Sequence, residues 1–273
     1  MSVSLRDRVA GWLKEPPAER RSRLRRELLR FSPWAVLTFG TGFARLANMF
    51  WAYQPDSHAL FDEHPEFRSL FARFSRRNRL NNAGDTVRLW AFILNIKKVL
   101  EDDIEGDFAE LGVWRGNSSA VLAHFASLAD RSHYLFDTFG GFDERDVSGI
   151  DPVSRPTFSN TSIATAQQVI GPAWDACRVV AGRFPDSIRP EHRDRKYAVV
   201  SLDCDLYEPM KAALDFFYPR VSPGGLLLLH DYANPHWPGI RRAVDEFCAL
   251  AGELLIVVPD KSGTAVIRRR RDP

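Results

Sequence analysis

The chain has 273 residues, and its 37 basic and 35 acidic residues leave a formal net charge of +2. A chain of this length holds one large domain with a substantial core. The near balance of charge gives no reason to expect nucleic acid as a partner. Three cysteines lack zinc-knuckle spacing and are odd in number, which favours a reduced, cytoplasmic setting over a secreted disulfide scaffold.

The N-terminal region, residues 1–82, is predicted to be a helical extension of a catalytic domain that covers residues 83–273. Charges interrupt its first segment, MSVSLRDRVAGWLKEPPAERR, every few positions, which argues against a signal peptide. One catalytic domain with an N-terminal extension is therefore expected, and the chemistry is assigned to the domain.

The segment from Arg20 to Tyr53 leaves two interpretations open. A basic run, RRSRLRRELLR, precedes an aromatic-rich apolar stretch, a combination typical of segments that lie on a membrane surface. The alternative is a helix buried against the main domain, which we favour because Arg45 interrupts the apolar stretch. The expected location is cytoplasmic, with peripheral membrane contact through this segment as the alternative.

The catalytic domain alternates helical and strand-like runs. A helix is predicted from Asp85, a suitable N-cap, to Leu100. Strand-like runs then alternate with helical ones, in the order DFAELGV, SHYLFDTF, CRVVAG, KYAVVSLDCD and GGLLLLHDY. Strands that are apolar throughout indicate a parallel sheet covered on both faces. The last segment, ELLIVVPDKSGTAVIRR, is predicted to be a β-hairpin because its turn is too short for a crossover helix.

The predicted fold class is therefore α/β: a doubly wound, Rossmann-like, mostly parallel sheet of seven strands that ends in an antiparallel hairpin. That ending is the arrangement of class I methyltransferases.

The stretch AELGVWRGNSS, residues 109–119, predicts a ligand-binding turn between a strand and a helix. A phosphate-binding P-loop would need a lysine, and none is present in the turn. A dinucleotide-binding turn would need a second glycine two positions after Gly112. What remains is Glu110, Gly112 and Gly116, a pattern that resembles motif I of S-adenosylmethionine-dependent methyltransferases.

A sulfonium cofactor with an amino-acid end needs close backbone approach and an acid to meet its ammonium group. We assign the two glycines to the first role and Glu110 to the second, with Trp114 as a further cofactor contact in the turn. Asp137 ends the next strand about 20 residues after the turn, where a ribose-binding acid is expected. Arg183, after the third strand, and Asp203 are the other predicted cofactor contacts.

Acidic residues follow two further strands at the same predicted edge of the sheet. VSLDCDLYEP supplies Asp203 and Asp205, and LLLLHDY supplies His230 and Asp231. Helix capping would explain one such acid, but several acids at neighbouring strand ends favour a divalent metal. Magnesium is the first choice, although imidazole is a softer ligand than magnesium prefers.

Four motifs in this order resemble the macrocin O-methyltransferase family of antibiotic-sugar methyltransferases. They are ELGVWRGNSS, LFDTFGGF, LDCDLYEPMKAALDFFYPRVSPGGLLLLHDY and W-x-G-x-R-x-A-V-D-E-F, which begins at Trp237. The resemblance implies magnesium-dependent methyl transfer from S-adenosylmethionine to a hydroxyl, often on a sugar. It places the metal ligands at Asp205, His230 and Asp231, with His230 replacing an aspartate of the family pattern. In the family the N-terminal region helps cover the acceptor or a subunit contact, which leaves a homo-oligomer open.

The mechanism that the resemblance implies needs a base for the acceptor hydroxyl, and Asp205 is the candidate. An acceptor with neighbouring hydroxyls is expected, because two oxygens chelated to one ion would fix its geometry. Trp237 and Tyr232 are candidates for the wall of the acceptor pocket. Three alternatives stay open: a metal oxygenase-like relative, a non-catalytic cofactor-binding relative, and a membrane-surface enzyme that modifies a lipid-linked glycan.

Overall fold

The computed structural model describes residues 63–76, 85–147, 149–151 and 158–271. The compact unit that contains the sheet begins at His64. The predictions made for the basic and aromatic segment between Arg20 and Tyr53 lie outside the described residues, and the domain division at residue 82 stays a prediction. No helix within the described ranges is long and apolar enough to cross a membrane.

A seven-stranded sheet forms the centre of this unit, with the strand order β3-β2-β1-β4-β5-β7-β6. Strands β1 to β5 are parallel, and β7 runs antiparallel to both β5 and β6. The predicted fold class, a doubly wound sheet that ends in an antiparallel hairpin, is confirmed. The strands are β1 (Asp107–Leu111), β2 (His133–Asp137), β3 (Cys177–Ala181), β4 (Tyr197–Leu202), β5 (Val221–Leu229), β6 (Ile256–Val257) and β7 (Ala265–Arg268).

Helices connect the parallel strands, as the alternation of sequence patterns predicts. The predicted N-cap is confirmed, since the Asp85 carboxylate accepts a hydrogen bond from the Arg88 backbone N–H at 3.1 Å. Two short 3-10 helices lie at Gly171–Ala176 and Tyr218–Arg220. The α-helices are α1 (Phe67–Arg76), α2 (Thr86–Glu101), α3 (Asn117–Leu128), α4 (Ile163–Ile170), α5 (Pro190–Arg193), α6 (Tyr207–Phe217) and α7 (Pro238–Ala251).

The core lies on both faces of the sheet, which explains why the strands are apolar throughout. All six residues of β4 are buried. On one face, the Phe217 ring of α6 packs edge-on against Tyr197 and Phe136, with ring centroids 5.3 and 5.4 Å away. On the other face, Leu135 packs with small apolar residues of α3 and α4. A sheet buried on both sides leaves only its strand ends to carry polar chemistry.

The chain reverses its direction of winding between β1 and β4, which are neighbours in the sheet. β1 leads outward to β2 and β3, whereas β4 leads outward to β5. The crevice at such a switch point is where open α/β sheets bind ligands. The register pairs Leu111 with Leu202, so the chain leaves the two strands side by side at this crevice.

Helix α1 is attached to this region through one side chain of α3. The Asn117 amide donates hydrogen bonds to the backbone oxygens of Arg73 and Phe74, at 3.1 and 2.8 Å. Asn117 directly follows the glycine turn and is itself buried, with 4% of its surface exposed. The Asn117 amide therefore links the end of α1 to the start of α3.

We predict that Asn117→Asp destabilises the protein by about 1–3 kcal/mol, because two buried carbonyls lose their donors and face a carboxylate. The free energy of unfolding from a urea titration measures the loss. Ser127→Ala, on the exposed end of the same helix, is the matched control and should unfold at the wild-type urea concentration. Equal midpoints for the two variants would contradict this role of Asn117.

Candidate active site

A cavity of about 1010 Å³ opens at the carboxyl ends of the parallel strands. Its lining includes the glycine turn after β1, Asp137 at the end of β2, and the acidic residues that follow β4 and β5. Of the residues predicted for the site, those that line the cavity are Gly112, Trp114, Asp137, Asp203, Asp205, His230 and Asp231. The structure thus brings most of the predicted site to one place.

Gly112 is required by a close crossing of two chain segments. Its backbone has φ = +88°, and a Cβ at this position would lie 1.9 Å from the backbone oxygen of Asp203. Any side chain would therefore push the β1 exit away from the β4 exit. Gly116, at φ = +81°, starts helix α3, and a Cβ there would lie 3.1 Å from the backbone of Ala166.

Asp137 holds the glycine turn in place. Its Oδ2 accepts hydrogen bonds from the backbone N–H groups of Val113 and Trp114 at 2.7 and 2.8 Å. Its Oδ1 accepts one from Phe139 at 2.6 Å. Burial raises the pKa of Asp137, while these three backbone donors act in the opposite direction. The carboxylate therefore fixes the turn and faces the cavity at the position predicted for a ribose-binding acid.

The structure places Glu110 differently from the prediction, which made this residue the partner of a cofactor ammonium group. The side chain is fully buried and is absent from the lining of the cavity. One carboxylate oxygen accepts a hydrogen bond from the Ser119 hydroxyl of α3, and the same oxygen lies 3.8 Å from His133 Nε2. The reason is that Glu110 is inside strand β1 and extends toward α3. Through Ser119, Glu110 connects β1 to helix α3, and the glycine turn lies between these two elements.

Arg183 is also placed away from the cavity. Its guanidinium binds both carboxylate oxygens of Asp146, at distances from 2.5 to 3.1 Å, and also reaches Asp186. Asp146 is buried, with 6% of its surface exposed, and it lines the cavity. Arg183 therefore ties the segment after β3 to the segment after β2, and does so instead of meeting an adenine directly.

Aromatic side chains form one wall of the cavity. Trp114, at φ = +44°, donates from its indole N–H to the Asn160 side chain at 2.9 Å. Phe158 bridges Trp114 and Phe142, with centroid distances of 5.4 and 5.3 Å, and Phe142 contacts Trp237 at 5.8 Å. Tyr232, the other candidate for this wall, hydrogen-bonds Asp245 on α7 and does not line the cavity.

The acidic cluster is arranged differently from the predicted ligand set. Within the described part of the chain, one group could hold a metal: Asp203, His230 and Asp231, with ligand atoms that lie within 4.8 Å of one another. Asp203, predicted to contact the cofactor, belongs to this group. Asp205, predicted to be a ligand, instead hydrogen-bonds Asp231. The geometry therefore favours Asp203 over Asp205 as the third ligand, because Asp203 faces His230 directly across the two strand ends.

His230 lies between two carboxylates. Its Nδ1 is 2.7 Å from Asp203 Oδ1 and 2.8 Å from Asp231 Oδ2. Burial and Arg88 lower the pKa of His230, but the two carboxylates outweigh them and raise it to about 9. Conversely, burial raises the pKa of Asp203, yet His230 and Arg88 hold it well below its usual range.

Asp205 has the opposite electrostatic environment. Burial, Asp231 and Asp203, in that order, hold the pKa of Asp205 well above its usual range. Its backbone is left-handed, at φ = +61°, and that of Asp231 is left-handed as well, at φ = +58°. Such conformations are costly for residues other than glycine and persist only where the surroundings impose them. A carboxyl group with a raised pKa is suited to accept a proton near neutral pH.

The donor set fits a divalent ion. Two carboxylates and one imidazole converge from neighbouring strands, and carboxylate oxygens suit magnesium or manganese. The imidazole moves the preference of the set toward manganese and other transition metals, since imidazole is a softer ligand than oxygen.

Arg88 is a site residue that the sequence reasoning missed. It lies in the first turn of α2, is 3% exposed, and donates from Nη2 to Asp203 Oδ2 at 2.8 Å. Its guanidinium also lies 5.4 Å from the centre of the Phe92 ring. The available signal was an arginine placed within the apolar pattern of TVRLWAFIL. An arginine on the buried face of a helix needs an anionic partner.

The strand order, the antiparallel final strand, and the glycine turn facing a strand-end acid together define the class I methyltransferase fold. Comparison with known families gives the particular group. The model of the macrocin-O-methyltransferase (TylF) family matches residues 83–253. This chain therefore belongs to the macrocin-O-methyltransferase family, which confirms the resemblance of the sequence motifs.

Relatives with named activities share the same region. The 8-demethyl-8-(2,3-dimethoxy-alpha-L-rhamnosyl)-tetracenomycin-C 4'-O-methyltransferase of Streptomyces olivaceus is 35% identical, over 50% of this chain and 57% of its own length. The mycinamicin III 3''-O-methyltransferase of Micromonospora griseorubida is 30% identical, over 56% of this chain and 64% of its own length. The match thus spans less than two thirds of either relative.

A solved structure also resembles this chain. The O-methyltransferase NovP superposes with a TM-score of 0.58 at 27% identity, covering 68% of this chain and 81% of that chain. The similarity supports the fold of the sheet and its helices.

We predict that Arg88→Met destabilises the protein by about 3–5 kcal/mol, because it leaves the Asp203 carboxylate without its buried cation. Urea unfolding measures this loss. Adding Asp203→Asn to the same chain should restore part of the stability, since the two residues act through one contact. Additive losses in the double variant would contradict the pairing.

Proposed function

We propose that this protein is an S-adenosylmethionine-dependent O-methyltransferase that acts on a hydroxyl of a sugar or of a glycosylated small molecule. One observation carries the proposal: the glycine turn clasped by Asp137 and the Asp203–Asp205–Asp231 carboxylates lie in the same cavity. The first feature suits a cofactor without phosphate, and the second suits the activation of a hydroxyl. The two relatives described above are named for transfer to glycosylated natural products, which supports the acceptor class.

The glycine turn is the proposed site of the cofactor. Gly112 lets the backbone of the turn approach a ligand closely, and Asp137 Oδ1, which accepts one backbone N–H, has a lone pair left to accept a ribose hydroxyl. The charged member of the turn, Arg115, donates its Nε–H to the Asn160 backbone oxygen at 3.0 Å. A dinucleotide would need cationic or backbone donors for its pyrophosphate, so the turn is better suited to a sulfonium compound.

Asp205 is the proposed base for the acceptor hydroxyl. The acceptor oxygen attacks the methyl carbon of the sulfonium, the carbon–sulfur bond breaks toward sulfur, and the hydroxyl proton passes to a carboxylate oxygen of Asp205. Because Asp231 and burial raise the pKa of Asp205, the protonated product state of this carboxyl is favoured. In-line approach of the two substrates depends on their positions, which the walls of the cavity would provide.

A divalent ion, magnesium or manganese, is the proposed second cofactor. Asp203, His230 and Asp231 would hold it, and a bound ion would lower the pKa of the acceptor hydroxyl. Asp203 keeps its contact with Arg88 on the oxygen that does not face His230. This leaves the other carboxylate oxygen for the ion.

Binding of S-adenosylmethionine, measured by calorimetric titration with NAD as the control ligand, tests the cofactor site. We expect micromolar affinity for the sulfonium compound and none for NAD. Asp137→Asn should weaken that affinity about tenfold or more, because an amide cannot accept all three backbone N–H groups of the turn. Asp205→Asn should leave it nearly unchanged and lower methyl transfer about 10²–10⁴-fold. Loss of cofactor affinity in both variants would contradict this division of roles.

Metal preference is tested by titrating the protein with Mn²⁺ and Mg²⁺ and following heat and, for Mn²⁺, the electron paramagnetic resonance signal. We expect Mn²⁺ to bind more tightly than Mg²⁺ because of the His230 imidazole. His230→Asp should shift the preference toward Mg²⁺, since all three ligands are then carboxylates. An unchanged ratio of the two affinities would place His230 outside the ligand set.

A further inference from the structure

Asp151 is a buried carboxylate that no part of the mechanism above uses. It lies in the segment that follows β2, lines the cavity, and has 4% of its surface exposed. Its Oδ2 accepts a hydrogen bond from the Tyr207 backbone N–H at 2.6 Å, and its Oδ1 accepts one from the Gly239 backbone N–H at 3.0 Å. In the described part of the chain these backbone groups, and no basic side chain, are its partners.

The two donors belong to the first turns of two different helices. Tyr207 is the first residue of α6, and Gly239 is the second residue of α7. Neither helix has a capping hydrogen bond from the side chain of its own N-cap residue. The positive ends of two helix dipoles therefore converge on one carboxylate, which explains how its charge is tolerated in a buried position.

The same two helices follow the catalytic strand ends. Asp205 is two residues before the start of α6, and Asp231 is seven residues before the start of α7. Both aspartates have left-handed backbones, and their carboxylates are in contact although both are acidic. Backbone in such conformations persists only where the surrounding structure imposes it. Asp151 links the two segments at the point where each becomes helical.

Gly239 is explained by the same contact. A Cβ at this position would lie 2.1 Å from Asp151 Oδ2 and 2.5 Å from Oδ1. Its backbone is not in the left-handed region, so the glycine is needed for space and not for conformation. The glycine of the W-x-G-x-R motif thus leaves space for the carboxylate of Asp151, which lies 88 positions away in the sequence.

We infer that Asp151 is a positioning residue that caps α6 and α7 together and thereby keeps Asp205 against Asp231. Its effect on catalysis rests on the proposed function, whereas the capping itself does not. Asp151 touches neither reacting group, so its removal should lower the turnover of the acceptor while cofactor affinity is retained.

The test uses hydrogen exchange of the full chain, followed by mass spectrometry of the peptides that contain residues 205–210 and 231–241. In Asp151→Ala the carboxylate is removed, and both backbone N–H groups lose their acceptor. We expect exchange in both peptides to become about tenfold faster or more, because each helix start loses its cap. Glu144→Gln, an exposed change in the same segment, is the matched control and should exchange as the wild type does.

Gly239→Ala is the second variant, because it expels the carboxylate and leaves Asp151 in the chain. This variant should also exchange faster at both helix starts. Exchange in the double variant should be no faster than in either single variant. Faster exchange at only one helix start, or none beyond that of Glu144→Gln, would overturn the shared cap.

The effect of Asp151 on catalysis is measured separately. With S-adenosylmethionine and a hydroxylated acceptor, Asp151→Ala should lower kcat about tenfold or more while the calorimetric Kd for S-adenosylmethionine changes less than about twofold. A wild-type kcat in a variant with fast exchange would contradict the positioning role of Asp151 but not its role as a shared cap. If the wild type bound no S-adenosylmethionine, the proposed function would fail, while the exchange data would still decide the cap.

Discussion

Three carboxylates crowd the ends of two neighbouring parallel strands, and the neighbouring elements offset the electrostatic cost of this crowding. The register of β4 with β5 pairs Leu202 with Leu229, so the residues that follow, Asp203, Asp205 and Asp231, must share one corner of the cavity. Removing carboxylates from water and placing them side by side both oppose ionisation. Positive groups come from two side chains: Arg88 on α2, which donates to Asp203, and His230, whose Nδ1 lies 2.7 Å from Asp203 and 2.8 Å from Asp231.

Backbone strain collects at the same positions. Asp205 and Asp231 are left-handed, a conformation that costs of the order of 1–3 kcal/mol for a residue with a side chain. Gly112 and Gly239, by contrast, are glycines because a Cβ would collide with a neighbouring segment. The glycines let chain segments approach, and the strained aspartates then turn their side chains toward one another. The fold thus forms the site by bringing together the segments that follow β1, β4 and β5. The stability of the sheet compensates for the backbone strain in these segments.

Most of the fold follows from the sequence because its strands are buried on both faces and therefore are runs of apolar residues. The position of the acids at strand ends is predictable for the same reason, since polar residues can only follow the runs. What escapes prediction are contacts between distant segments: Arg88 and Asp203 are 115 residues apart, and nothing local to either residue specifies the other. The sequence does not show which way Glu110 faces, because a strand buried on both sides is apolar on both faces. Its carboxylate meets Ser119 instead of the cavity.

Arg88 also sets the net charge of the cluster. When all three carboxylates are ionised they carry three negative charges, and the guanidinium removes one, so two remain if the His230 imidazole is neutral as well. A divalent cation would balance this charge, whereas a cluster without Arg88 would keep an excess of one. Arginine suits the role because its guanidinium stays protonated under all ordinary conditions, and because α2 holds it on the side of Asp203 away from His230. The missed arginine and the predicted acids therefore form one electrostatic unit, in which the helix that precedes the sheet determines what charge its strand ends can accept.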